Sequence, residues 1–250
     1  MISKNEMKYY SSLLQKKYRQ QEKKFIAEGD KLIREGIENG FTPEIILTTV
    51  PFFESQPDYF NSLKSFRIET LKTPELKNLC DTKNPQEVIA VFPFSKHDLN
   101  PQKLNNKILV YLDNISDPGN IGTIIRNCDW FGANDVLISE ESVELHNPKV
   151  VRSSMGSIFH INIFEDVKTE YIKELKTKGY NIICSDLKGQ DICNFESPEK
   201  SILVFSNEAH GPSENIRELA DHFISIKRKG KAESLNVASA SSVILALLIK

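Results

Sequence analysis

Arg126, Glu208, Ser234 and Asn236 are the residues whose types and surroundings could do chemistry. Ile124, Ile125, Cys128 and Trp130 make the segment around Arg126 largely apolar. An arginine there serves either as a paired structural cation or as a contact for a phosphate or hydroxyl. Glu208 follows the apolar run SILVF (201–205) and stands beside Asn207. It is either a solvated loop tip or an acceptor for backbone amides that hold the loop. Ser234 and Asn236 suit the start of a helix, which both residue types cap well; they could equally offer a hydroxyl and an amide to a ligand. The patterns of other chemistries are missing: no G-x-S-x-G, no H-E-x-x-H and no P-loop. His97, His146, His160, His210 and His222 are scattered, and no metal site is expected.

The elements that must position these residues form an alternating pattern. Strands are expected at 107–113, 135–139, 180–184, 201–205 and 222–226, with helices at 123–131 and 168–178. The polar loop 206–216 and the basic loop KRKGK (227–231) each follow one of these strands. In an open α/β sheet, ligands bind where strand ends converge, so these loops are expected to form opposite walls of one pocket. The loop 114–122 resembles a nucleotide-binding turn, but Gly119 and Gly122 do not complete a G-x-G-x-x-G.

Upstream, residues 1–24 read as a polar helix carrying Lys8, Lys16, Lys17, Arg19, Lys23 and Lys24. Such a run is either a solvated face or a surface for nucleic-acid phosphates. A helix over 30–40, with Asp30 as N-cap and Gly40 as stop, and strands at 45–47 and 88–92 make a small α/β module. Residues 93–106 lack apolar periodicity and read as a linker. The expected division is a domain at 1–94, a linker at 95–106 and a second domain at 107–250.

A chain of 250 residues with 40% hydrophobic content builds a sizeable core. Its net charge of −2 gives no global nucleic-acid signature, so any basic surface is local. Cys80, Cys128, Cys184 and Cys193 show no metal-type clustering and read as reduced thiols. The start MISKNEMKYY is too polar for a signal peptide, and SSVILALLI (241–249) is too short to span a bilayer. A soluble cytoplasmic protein is expected.

Three segments carry a family resemblance. DNISDPGNIGTIIRN (113–127), LVFSNEAHGPS (203–213) and IKRKGKAESLNVASA (226–240) resemble, in order, the three motifs of the SpoU family of RNA 2′-O-ribose methyltransferases, of the SPOUT class. The resemblance covers nearly the whole second domain; around Arg19, Phe25 and Glu28-Gly29 the chain also resembles the family's substrate-binding module.

It implies a mostly parallel sheet with helices on both faces, closed by a C-terminal trefoil knot and preceded by a small α/β RNA-binding domain. It implies S-adenosylmethionine as methyl donor, held at Ser206, Gly211, Ile226 and Leu235. It assigns RNA-site or catalytic roles to Asn120, Arg126, Glu208, Ser234 and Asn236. It further implies a homodimer acting on RNA, ribosomal rather than transfer RNA; with the residue readings above, no membrane or metal partner is expected.

The sequence departs from the family at Ser206 and Ala209, where glycines are usual, and at Lys227-Arg228, where Pro-Met is usual. A Cβ at either former site is costly if the backbone needs a positive φ. An inactive SpoU-like RNA-binding or ribosome-assembly factor is the alternative expectation. A nucleotide-dependent oxidoreductase rests only on the strand–Gly–helix turn.

Overall fold

The computed structural model describes residues 2–94, 99, 100, 104, 106–207 and 210–249. Its contacts divide into two compact units, Met1–Ser95 with His146–Phe159, and Lys96–Leu145 with His160–Lys250. Residues 146–159 thus pack with the first unit, although the alternating pattern places them inside the second. Most of the expected linker lies outside the described residues.

In the first unit, Lys4–Ser12 (α1) and Lys16–Glu22 (α2) precede Lys24–Glu28 (β1). The single helix expected over 1–24 is divided. Gln15 is extended, and Lys23 takes a left-handed φ of 53° that ends α2. Arg19 does not join a solvated cationic face: it is buried, and its Nη1 donates to the Leu13 carbonyl at 2.7 Å. Lys8, Lys16, Lys17 and Lys23 remain exposed.

Asp30–Glu38 (α3), Ile45–Thr49 (β2), Val50–Ser55 (α4), Pro57–Ser62 (α5), Ile68–Leu71 (β3), Thr73–Lys77 (α6) and Val88–Pro93 (β4) follow. Asp30 is the first residue of α3 and not its cap; the cap is Gly29, at φ 105°. The sheet order is β1-β4-β2-β3, with β4 antiparallel to both neighbours.

The second unit begins with Ile108–Asp113 (β5), Pro118–Phe131 (α7) and Asp135–Ser139 (β6). Helix α7 starts five residues before Thr123, because the Asp117 carboxylate accepts the Asn120 N–H at 2.9 Å and Pro118 occupies the first turn. The chain then visits the first unit, where Pro148–Ser153 (α8) lies against β1. It returns through Asn162–Val167 (β7), Thr169–Thr177 (α9), Asn181–Asp191 (β8), Ser201–Ser206 (β9), Glu214–Leu219 (α10), His222–Ser225 (β10) and Val237–Leu248 (α11).

These strands form one sheet in the order β10-β8-β9-β5-β6-β7, and every neighbouring pair is parallel. All six residues of β9 are buried, as a parallel strand covered on both faces requires. On one face Tyr111, Ile182, Ile202 and Val204 pack with Ile172 and Leu175 of α9 and Ile216 of α10. Helix α11 packs against α7 and β9. Strands β5 and β9 pair from Ile108↔Ser201 to Asp113↔Ser206, so their C-terminal ends are level.

Strand β8 is longer than the expected 180–184, and its pairing with β10 is interrupted. Cys184 pairs with Phe223, but the next pair is Gln190 with Ile224. Residues 185–189 therefore leave the ladder and return to it. Gly189 makes the return possible: a Cβ there would lie 2.5 Å from the Ile224 nitrogen and the Phe223 carbonyl carbon. Both are backbone atoms, which cannot swing aside. Gly189→Ala is expected to cost about 1–3 kcal/mol, the range for overpacking. Chemical denaturation checks this, and an unchanged midpoint contradicts it.

Candidate functional site

Because the sheet is parallel, the chain leaves β5, β8, β9 and β10 at one edge. There a cavity of about 490 Å³ opens, within the usual range for a small-molecule site. Ser206, Asn207, His210 and Gly211 line it from the loop after β9. Ser225, Ile226, Ser234 and Leu235 line it from the segment after β10. The two segments after β9 and β10 thus do face each other across one pocket, although Lys227–Lys231 do not line it.

The excursion from β8 supplies a third wall that sequence reasoning missed, Ser185–Lys188. It carries both polar and apolar groups. The Asp186 carboxylate lies 3.4 Å from the Arg217 guanidinium, also at the cavity. Leu187 and Leu235 are 70% and 48% exposed. Two exposed leucines lining a concave site present apolar surface that a flat, largely apolar ligand would cover.

Asn236 fixes the third loop. Its Oδ1 accepts the N–H groups of Ala238 at 3.0 Å and Ser239 at 3.2 Å, capping α11. Its Nδ2 donates to Asn120 Oδ1 at 3.0 Å. The cap orients the amide, and the other end of that amide reaches the start of α7. Asn127, about two turns beyond Asn120 on α7, adds two bonds of 2.9 Å from Nδ2, to the Ala238 carbonyl and Ser241 Oγ.

Asp113 fixes the second loop. It is buried at the end of β5 and accepts Ser213 N–H at 2.6 Å and Ser213 Oγ–H at 3.1 Å. Ser213 is the N-cap residue of α10. Asn207 also reaches toward the first loop, its Nδ2 3.4 Å from the Asn114 carbonyl. A strand-terminal aspartate looks like any loop residue in the sequence, so its role was not apparent there.

Ser206, Gly211, Ile226, Ser234 and Leu235 are gathered at the cavity, and Asn120 and Asn236 are joined beside it. Arg126 lies on α7, exposed, and makes no ion pair among the described residues. Glu208 and Ala209 lie outside the described residues. Ser206 is not among the residues of positive φ, so its Cβ carries no backbone strain; among the described residues of this loop the left-handed position is Gly211, at φ 68°. No group of three or more metal-type side chains occurs among the described residues, nor is any helix there long and apolar enough to cross a membrane.

Comparison with known proteins bears on this arrangement. Residues 107–246 match the SpoU rRNA Methylase family, and residues 4–90 match the MRM3-like substrate binding domain. The chain is 28% identical over 244 residues to the 23S rRNA (guanosine(2553)-2′-O)-methyltransferase RlmP of Bacillus subtilis, covering 96% of this chain and 94% of that one. It is 32% identical over 194 residues to the 23S rRNA (uridine(2479)-2′-O)-methyltransferase of Streptomyces viridochromogenes, covering 73% and 68%. Among solved structures, the SpoU methyltransferase AviRb of Streptomyces viridochromogenes, in complex with AdoMet, superposes with a TM-score of 0.87 at 25% identity, covering 98% of this chain and 97% of that one.

Burial raises the Asp113 carboxyl above its ordinary pKa, against the hydrogen bonds from Ser213. The folded protein therefore holds this proton more tightly than the unfolded chain does. Its contribution is full below the ordinary carboxylate pKa and falls as pH rises through the raised one. Asp113→Asn is expected to remove that decline from a curve of unfolding free energy against pH. A variant curve parallel to that of the parent would contradict it.

Proposed function

The chain belongs to the SpoU rRNA methylase family, and from that membership we propose that it methylates the ribose 2′-hydroxyl of a 23S ribosomal RNA nucleotide, using S-adenosylmethionine. The observation that carries this reading is the cavity at the strand ends, walled by the segments that hold the second and third motifs. Its chemistry fits the donor. The exposed Leu187 and Leu235 suit the faces of an adenine, while Asp186, Ser206 and Asn207 offer polar partners for ribose and amino-acid groups. We place the contacts to the donor at Ser206, Gly211, Ile226 and Leu235. An RNA-binding protein without catalysis has no need of such a cavity.

S-adenosylmethionine supplies an electrophilic methyl group on sulfur. The rest falls to positioning, which contributes several kcal/mol when reacting atoms are held in line. In this proposal Ser234, Asn236 and Asn120 shape the floor on which the ribose lies, and Glu208 has the RNA-site or catalytic role that the family resemblance gives it. Arg126 binds the phosphate next to the target ribose. An arginine stays protonated, so it serves as a cation and not as the base; the hydroxyl proton leaves to that phosphate or to solvent.

Two further features complete the reading. The segment after β10 runs from an edge strand to a helix that packs on α7 and β9, while Asp113 holds the Ser213 end of the neighbouring loop. This path supports a trefoil knot. Trp130 on α7, with Val243 and Leu247 on α11, are large exposed apolar residues on two helices that pack together. They support a homodimer formed through this face. In this proposal the N-terminal unit recognises the RNA and the enzyme acts in the cytoplasm.

The test is incubation of the full chain with transcribed 23S rRNA and methyl-labelled donor, followed by mapping of 2′-O-methyl positions. A single ribose position is expected; label on a base, or none, rejects the proposal. In the same assay Arg126→Ala is expected to lower kcat at saturating RNA by about 10²-fold, the scale of a misplaced reactant. An unchanged kcat contradicts the role given to Arg126.

A further inference from the structure

Residues 227–233 form a wholly exposed loop between two segments that line the cavity. Lys227, Arg228, Lys229 and Lys231 place four cations in five residues, while the chain as a whole carries a net charge of −2. Glu233 is the one acidic residue of this loop. The cations are also bound closely to the site by the chain itself. Lys227, Arg228 and Lys229 are one, two and three peptide links from Ile226, and Lys231 is three from Ser234. At 3.8 Å per link, each Cα lies within about 11 Å of the Cα of a residue that lines the cavity. Arg228 Nη1 donates to the Ala232 carbonyl at 3.1 Å, which folds the loop back on itself around Gly230. Lys188, exposed on the β8 excursion, adds a cation on a second wall of the same cavity.

A loop with no apolar anchor and four like charges gains nothing from packing. Its charges repel one another until an anion neutralises them. We propose that this loop is a phosphate clamp: Lys227, Lys229 and Lys231 grip the phosphodiester backbone of the strand beside the target nucleotide and hold that strand across the mouth of the cavity. The inference rests on the methylation reading for the identity of the anion. RNA entering the cavity must pass its rim, and its backbone presents one negative charge per nucleotide. Lysines are suited to this task because they act as point charges and read no sequence. The family's usual Pro-Met at 227–228 lacks the first of these three cations, so the full clamp is a property of this chain and of relatives that share the basic run.

The experiment compares the full-length protein with the Lys227→Ala/Lys229→Ala/Lys231→Ala variant. Binding to transcribed 23S rRNA and to a mixed-sequence 20-nucleotide single-stranded RNA is measured from 50 to 200 mM salt. Donor affinity is measured by calorimetry. Three lost phosphate contacts should make the slope of log K against log salt shallower by about 2, at roughly 0.7 per contact on a single strand. The change should be alike for both RNAs, KM for rRNA should rise, and donor affinity and unfolding temperature should stay at the parent values. An unchanged slope overturns the clamp. So does a variant whose donor affinity falls while RNA binding holds, since the loop would then belong to the donor cavity. Lys227→Arg/Lys229→Arg/Lys231→Arg, which keeps the charge, should keep the parent slope; a loss there equal to that of the alanine variant also overturns the clamp. Because RNA binding is read without turnover, a failed methylation assay would count against the proposed function and leave the clamp to be decided by the slopes.

Discussion

The site depends on one amide. Asn236 uses its oxygen to start α11 and its nitrogen to reach Asn120, which stands 116 positions earlier. A cap alone would fix only the first turn of α11. A cross-link alone would leave the carboxamide free to turn over. Together they set the direction of the residues on either side, and those residues, Leu235 and Val237, line the cavity. The geometry of the third wall thus comes from a single side chain with both of its ends used.

The parallel sheet makes such an arrangement possible. Strands β5 and β9 end level, so Asp113 at the end of one can reach Ser213 in the loop that follows the other. A buried carboxylate is costly unless hydrogen-bonded, and here two donors from one serine meet it. The second loop is held by Asp113 and the third by Asn236, each to an element of the first motif. Three loops separated in sequence are therefore tied to one another by short polar links rather than by a shared core. The region around the cavity keeps its leucines uncovered, which a packed core would not allow.

Much of this frame is legible in the sequence. Parallel strands buried on both faces read as plain apolar runs, and the runs at 107–113, 135–139 and 201–205 fall where β5, β6 and β9 lie. The loops after β9 and β10 are legible because polar, glycine-bearing segments interrupt those runs. The β8 excursion is not. SDLKG (185–189) looks like an ordinary polar turn after a strand, and only the approach of Gly189 to the backbone of β10 shows that the strand resumes. Arg19 misleads for a similar reason: its neighbours in sequence are lysines in solvent, but its own side chain turns inward to a carbonyl. The pairing of Asn120 with Asn236 has no local signal; resemblance to a family marked both residues, and the structure supplies the bond between them.

The most direct measurement is the donor affinity of Asn236→Ser. Serine caps a helix as well as asparagine, so α11 and the unfolding temperature should be kept. Its side chain is too short to reach Asn120 while capping α11, so the cross-link is lost. Calorimetric titration with S-adenosylmethionine should show affinity weakened by up to about tenfold, the scale of one hydrogen bond. Parent affinity in a variant that folds like the parent would contradict the claim that this amide sets the cavity.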